Sequence, residues 1–283
     1  KRAKELVSYA RKQVADCIGA RKDQIIFTSG GSESNATVIF GVADWMKENE
    51  RDTVVVSAIE HESVLKSAKA MCMKHGFHLH ILSVDSSGHI NPAELQAVLN
   101  AKSVGLVSIM YVNNEIGAVQ HDMNKIAELC HENGALFHTD CVQALGSDHI
   151  DVAEMQCDFL SMSAHKVHGP KGVGGLYVSD LAKHLGAINP LVYGGNNQEF
   201  GLRGGTENVS GIVGFGEACS EVDDSDAMFN RMVYNLLYPF VDSLKRAANE
   251  NGISDRLVVN GAFDTWKIVR VTIRGVDNEM LAM

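Results

Sequence analysis

Apolar residues recur along this chain in two alternating rhythms. Leu6, Val7, Ala10, Val14 and Ile18 fall on helical spacing, and Gln24–Thr28 then forms a short apolar run of strand type. A helical pattern follows Gly30-Gly31-Ser32. Thr53–Ser57 reads as a strand, Glu62–Lys74 as a helix and Leu79–Leu82 as a strand. Asn91-Pro92 opens another helix, with Asn as cap and Pro at the first position, where its missing N–H costs nothing. Val104–Tyr111 is a long buried strand, and Asn124–Asn133 is a helix closed by Gly134. Ala135–Thr139, Asp158–Ser163 and Gly174–Val178 complete the strands. This alternation predicts an α/β fold, a mostly parallel sheet covered on both faces. Ligands of such sheets gather beyond the carboxyl ends of the strands.

From about Ser225 the rhythm changes. One long amphipathic helix is expected, with an apolar stripe through Met228, Met232, Leu236, Phe240 and Leu244. Two strand-like segments follow, Arg256–Val259 and Lys267–Ile273, and a new helix begins near Asp277. The expected organisation is a large domain over 1–224 and part of a small α+β domain over 225–283.

Composition narrows the function. With 45% hydrophobic and 21% charged residues over 283 positions, the chain is globular. A net charge of −10 argues against nucleic-acid partners, which need a basic face. No apolar stretch is long enough for a membrane span, and no signal peptide opens the chain. Cys17, Cys72, Cys130, Cys141, Cys157 and Cys219 form no C-x-x-C pair and sit in apolar or helical patterns. Reduced, mostly buried thiols in a cytoplasmic compartment are expected. The chain opens on Lys1 rather than Met, so an organellar address stays open. No metal-binding set is expected.

Candidate chemistry clusters just after the strands. Lys166 follows the Asp158–Ser163 run within Ser163-Ala164-His165-Lys166, ahead of a glycine-rich turn. A lysine so placed is open to desolvation, which favours the neutral amine that condenses with an aldehyde. Ser29-Gly30-Gly31-Ser32 follows a strand and opens a helix, where backbone N–H groups receive an anion. Asp140, after a strand, is suited to hold a protonated ring nitrogen, and Asn114 to donate to a phenolate oxygen. His61 is suited to stack on a ring and shuttle protons. The Gly194–Thr206 loop is either a second phosphate contact or a mobile surface loop. Each fragment alone has an ordinary alternative as a surface lysine, a helix cap or a polar turn.

Together these segments, with Val112–Gly117, Gly169-Pro170-Lys171-Gly172 and Arg203–Asn208, resemble the cysteine desulfurase and selenocysteine lyase group. These are fold type I pyridoxal-phosphate enzymes related to class V aminotransferases. The resemblance runs in order over nearly the whole chain. It implies a three-layer large domain with a seven-stranded, mostly parallel sheet, and a homodimer with shared sites. It implies that Lys166 bears the Schiff base, Asp140 pairs with the pyridine nitrogen, and His61 stacks on the ring and moves protons. Asn114 and Gln143 would contact the phenolic oxygen. Gly31, Ser32, Ser163 and His165 would hold the phosphate, and Thr206 would reach the phosphate of a neighbouring subunit.

The implied activity is removal of sulfur from L-cysteine. It yields L-alanine and a protein persulfide, handed to a sulfur-acceptor protein in Fe–S cluster or thiolation pathways. Selenocysteine lyase or another class V activity is the alternative on the same scaffold. A non-catalytic scaffold protein and a nucleotide-binding α/β domain are the alternatives from other classes. The last lacks both G-x-G-x-x-G and a P-loop. The sulfur-accepting cysteine and the substrate-anchoring arginine are expected beyond Met283, and a covering segment ahead of Lys1, so none of the six cysteines is nominated as nucleophile. The chain is therefore expected to bind the cofactor without completing the persulfide step. It departs from the family pattern at Cys141, usually a small residue, and in the loop bearing Asn196, Asn197 and Phe200.

Overall fold

Valine-rich runs with no polar face become the centre of the molecule. The computed structural model describes residues 1–195, 198–222, 228, 231–261 and 264–277. Helix α1 (Arg2–Asp16) leads to β1 (Ile25–Thr28), α2 (Gly31–Gly41), α3 (Ala43–Glu48), β2 (Thr53–Ser57), α4 (Glu62–His75) and β3 (His78–Leu82). Then come α5 (Pro92–Ala101), β4 (Val104–Ser108), α6 (Met123–Glu132), β5 (Leu136–Asp140), α7 (Val152–Met155), β6 (Phe159–Ser163), β7 (Gly174–Val178), α8 (Asp180–His184) and α9 (Val209–Ser220). The C-terminal part holds α10 (Tyr238–Glu250), β8 (Leu257–Asn260) and β9 (Arg270–Ile273).

Strands β1 to β7 form one sheet in the order β1-β7-β6-β5-β4-β2-β3. Only β7 runs antiparallel to its neighbours, β1 and β6. The carboxyl end of β1 therefore lies on the same sheet edge as those of β2, β4, β5 and β6. Successive side chains alternate between two cores. Val55, Val107, Phe137 and Leu160 pack with α1, α5, α6, α7 and α9. Val54, Val56, Leu106, Leu136 and Phe159 pack with α2, α3, α4 and α8. This is the three-layer, mostly parallel arrangement expected. A third, small core joins Val233, Leu237 and Val241 to Val259, Trp266 and Val269 beside the antiparallel β8–β9 pair.

Several expectations need correction. The strand expected over Val104–Tyr111 is regular only over Val104–Ser108; beyond it Ile109 and Tyr111 still donate to His138 O and Asp140 O of β5, while Met110 and Tyr111 line neighbouring clefts. The long C-terminal helix contains a π-helical turn at Val233–Leu237 just ahead of Pro239, which has no N–H to donate. Its buried face is Val233, Leu237 and Val241; Leu236 and Phe240, assigned to the core stripe, are 57% and 52% exposed. Helix α9 was not expected. Its Gly211, Gly214 and Gly216 suggest a loop, but a Cβ at Gly216 would meet the Ala10 backbone at 2.6 Å, so glycine is what lets α9 lie against α1. The expected boundary at 224/225, the helix from 278 onward, Asn196 and Asn197 lie outside the described residues. Among the described residues no helix is long and apolar enough to cross a membrane.

Candidate active site

A cavity of about 230 Å³ opens where the carboxyl ends of β1, β2, β4, β5 and β6 converge. Gly31, Ser32, His61, Asn114, Asp140, Gln143, Ser163, His165 and Lys166 all line it. Nine of the ten residues singled out from sequence thus meet in one place. Thr206 does not: it is exposed and lines a separate depression with Ser29, Gly172, Glu199 and Arg203.

Each side chain is set by its element. Gly31 starts α2, and a Cβ there would meet Val142 Cγ2 at 2.5 Å, so only glycine leaves the helix N-terminus open to the cavity. Ser163 ends β6, and its hydroxyl pairs with His165 Nδ1 at 2.8 Å. Burial, aided by Lys166 and Lys171, lowers the His165 pKa, so the ring serves as a neutral hydrogen-bonding partner. Lys166 sits in the 3₁₀ turn Ala164–Val167 that follows. Its side chain is half-buried rather than fully desolvated, since the cavity opens to solvent at the exposed His61 and His165.

At the other end Asp140 is buried. Its Oδ1 accepts the Val142 N–H at 2.9 Å and its Oδ2 accepts Asn35 Nδ2 at 2.7 Å. Burial still raises its pKa, and His61 supplies only a minor opposing charge. Asn35 Nδ2 also donates to Ser63 Oγ at 2.9 Å, and Ser63 Oγ lies 2.7 Å from His61 Nδ1. Because Nδ1 also accepts the Ser63 N–H at 3.1 Å, the neutral His61 ring carries its proton on Nε2. A hydrogen-bonded chain thus runs from the buried carboxylate to the imidazole at the rim.

Two participants escaped notice in the sequence although they stand inside the motifs. Asn35 and Ser63 form the links just described. Glu60, beside His61, is wholly buried under the site: Oε1 accepts Ser57 Oγ at 2.5 Å and the Met110 N–H at 2.8 Å. Burial pushes its pKa up to about 8. Asn113 fixes the turn that carries Asn114, donating to Ile59 O at 2.8 Å and accepting from the N–H groups of Glu115 and Ile116.

The cysteines behave as expected of packed thiols. None of the six is disulfide-bonded. Burial pushes up Cys130, Cys141 and Cys157, and Cys72 to about 11. Cys141, although adjacent to Asp140, belongs to the core rather than the cavity lining.

The residues present fit pyridoxal phosphate. One end of the cavity has an open helix N-terminus with hydroxyl and imidazole groups, suited to a phosphate. The other has a buried carboxylate whose ionised form lacks a counter-charge, as a protonated pyridine nitrogen would provide. The Asn35 Oδ1 atom, buried at this end, has no partner among the described residues.

Such a site at the strand ends of a three-layer sheet defines an enzyme class, and comparison with known proteins agrees. The Aminotransferase class-V model matches residues 1–231. A Clostridium botulinum cysteine desulfurase IscS is 40% identical over 235 residues, covering 83% of this chain and 57% of that protein. Among solved structures, a NifS-like protein superposes with a TM-score of 0.88 at 30% identity, over 99% of this chain and 73% of the other. SspA in complex with cysteine gives 0.74 at 35% identity, over 84% and 67%. The chain belongs to the class-V aminotransferase family, in its cysteine desulfurase group. It spans a little over half the length of the C. botulinum relative.

Proposed function

We propose that this chain binds pyridoxal 5'-phosphate and supplies the cofactor-binding part of a cysteine desulfurase acting on L-cysteine in the cytoplasm, without itself completing the persulfide step. The observation that carries this reading is a single cavity joining Lys166, an open helix N-terminus and the buried Asp140. When bound, the cofactor supplies an electron sink for a carbanion at the amino-acid α-carbon. Lys166 would present the amine that holds the cofactor aldehyde, and the same amine would take and return the α-proton. Asp140 anchors the ring nitrogen and keeps its proton there. His61 keeps Nε2 free of its Nδ1 contacts with Ser63, and its ring would cover the bound cofactor and exchange protons with substrate. Asn114 and Gln143 hold the phenolic oxygen; the Gly31 N–H, Ser32, Ser163 and His165 hold the phosphate.

Thr206 has no place in this cavity, and its exposure supports a role in the site of a second copy, so the proposed unit is a homodimer. Its loop is held firmly for that purpose. Arg203 Nε donates to Glu33 Oε1 at 2.9 Å, and Glu33 Oε2 accepts the Ser29 N–H at 3.0 Å. The proposal also includes a division into a large domain over 1–224 and a smaller unit over 225–283, and a protein that receives the sulfur. SspA bound to cysteine supports the substrate class. The scaffold reading is disfavoured, since a protein without chemistry has no use for a buried carboxylate aimed into a cavity with a lysine.

Borohydride treatment of the chain incubated with pyridoxal phosphate should fix the aldehyde on Lys166, read by peptide mass spectrometry. Lys166→Ala should lose both the adduct and the violet absorbance of the bound cofactor. An adduct spread over surface lysines, or none in folded protein, would refute the assignment.

A further inference from the structure

Away from the cavity, three side chains from distant parts of the sequence converge. His89, His121 and Asp264 each offer a ligand atom, and these atoms all lie within 4.8 Å of one another. His89 Nε2 is 2.7 Å from Asp264 Oδ2, and the His89 and His121 ring centroids are 6.0 Å apart. The Asp264 carboxylate is only 14% exposed.

The frame around them is rigid. His89 belongs to a tight turn closed by the Val84–Ile90 bridge, with Asp85 Oδ1 accepting the N–H groups of Ser87 and His89 at 2.8 and 2.9 Å. Asp85 Oδ2 lies 3.9 Å from His89 Nδ1, so the second ring nitrogen faces a carboxylate, a common way of orienting a metal-binding imidazole. Asp264 Oδ2 also accepts the Val119 N–H at 3.2 Å, which fixes it beside the Val112–Val119 bridge, two residues before His121. A plain His–Asp hydrogen bond explains two of the three residues. It does not explain why a second imidazole comes to the same carboxylate.

We propose that His89, His121 and Asp264 bind a late first-row divalent cation such as Zn²⁺, which clamps the segment around Asp264 onto the large sheet. Two imidazoles and one carboxylate suit zinc and its neighbours rather than Mg²⁺ or Ca²⁺, which take mainly oxygen ligands. Around zinc, ligand atoms sit about 3.3 Å apart, from bond lengths of roughly 2.0–2.1 Å in a tetrahedron. His121 is exposed and free to move inward by the remaining distance, leaving a fourth position for water.

The clamp has a consequence for the neighbouring site. Lys267, three residues beyond Asp264, is partly buried, and its Nζ donates to the backbone carbonyls of Lys166 and Leu145, each at 3.3 Å. Next to it, the Ile268 carbonyl lies where a Cβ on Gly117 would approach to 2.9 Å. Fastening Asp264 therefore steadies the backbone that supports the Lys166 turn. This inference does not rest on the cofactor assignment, and its test reads metal rather than activity.

Metal-stripped protein should be titrated with Co²⁺ and then Zn²⁺, alongside His121→Ala and His89→Gln. The expected result is one equivalent bound per chain, with Co²⁺ visible bands of a nitrogen–oxygen site and no strong near-ultraviolet thiolate transition. Zn²⁺ should raise the melting temperature of the wild type. Both variants should lose the equivalent and the shift; His121 is at the surface, so His121→Ala keeps its circular dichroism. No binding by the wild type, thiolate bands, or equal binding by His121→Ala overturns the proposal.

Discussion

Replacing Glu199 with alanine will destabilise the protein by about 3–5 kcal/mol, the cost of leaving a buried charge without its partner. Arg11 is 9% exposed and Glu199 is 6% exposed. The guanidinium makes two parallel bonds to the carboxylate, Nη1 to Oε2 and Nη2 to Oε1, each 2.6 Å, and Nη1 also donates to Ile25 O at 2.6 Å. Glu199 Oε2 accepts the Phe27 N–H at 2.7 Å as well. Arg11 is sandwiched between the rings of Phe27 and Phe200, 4.6 and 5.2 Å from their centroids. Removal of the carboxylate strands both the cation and an amide of β1. It also frees the loop at Glu199 and Phe200, whose φ angles of 42° and 56° the pair holds in place. At roughly 2–4 °C per kcal/mol, the melting temperature should fall by about 6–20 °C. Arg11→Met combined with Glu199→Leu should cost less than Glu199→Ala alone, because no charge is then left buried. A loss under about 1 kcal/mol for Glu199→Ala, on the scale of an exposed pair, would show that the interaction is solvated.

That pair also marks where sequence reading stops. Glu199 stands in a glycine-rich polar loop and looks like a solvated acid. Its partner lies 188 positions earlier on the first helix, at a place where the helical pattern is already satisfied by Val7, Ala10 and Val14. Short-range periodicity carries no information about such a contact. The central strands of the large sheet, by contrast, are encoded locally, although their exact ends are not. Val54-Val55-Val56 has no polar face, so it must be buried on both sides, and a doubly covered parallel sheet is the architecture that does so. The C-terminal helix failed for a different reason. Met228/Met232/Leu236/Phe240 and Val233/Leu237/Val241 both recur every four residues, and spacing cannot choose between them. Packing against Val259, Trp266 and Val269 makes the choice.

The site itself was legible because its residues sit at strand ends, where each motif is short and contiguous. Lys166, Asp140 and Gly31 are placed by β6, β5 and β1, and the sheet order brings them together without long-range guesswork. What supports them was less visible. Asn35 faces into the cavity from the second turn of α2, and only the folded backbone shows that its amide bridges Asp140 and Ser63. The metal-type cluster was invisible for the same reason as the Glu199 pair, since Asp264 lies 175 residues from His89.

Glu60 gives the second large effect, and its sign follows from which form the fold prefers. Burial holds its pKa at about 8, against an ordinary value of 4.5. The folded state therefore keeps a proton that the unfolded chain has released. Stability from this group is complete below about pH 4.5 and drains away as pH rises through about 8, by on the order of 4–5 kcal/mol at 1.36 kcal/mol per pH unit. His138 works from the acid side. It is buried between Ser108 Oγ at 2.7 Å and Ser161 Oγ at 3.0 Å, and burial lowers its pKa from 6.5 to about 3. Its protonation in the unfolded chain makes stability fall as pH drops from about 6.5 towards 3. The two slopes oppose each other between about pH 4.5 and 6.5, so these groups together place a plateau there. Glu60→Gln keeps an acceptor for Ser57 and the Met110 N–H but cannot ionise. Urea unfolding at pH 5, 7 and 9 should show the variant gaining on the wild type as pH rises, with most of the divergence present by pH 9. Parallel curves for the two proteins would mean that Glu60 is ionised throughout, and this account of the site would fail. The same protonation matters to the chemistry proposed for the cavity. With Glu60 neutral beneath it, Asp140 is left as the carboxylate that faces a cationic ring; a second negative charge there would compete with it for the proton.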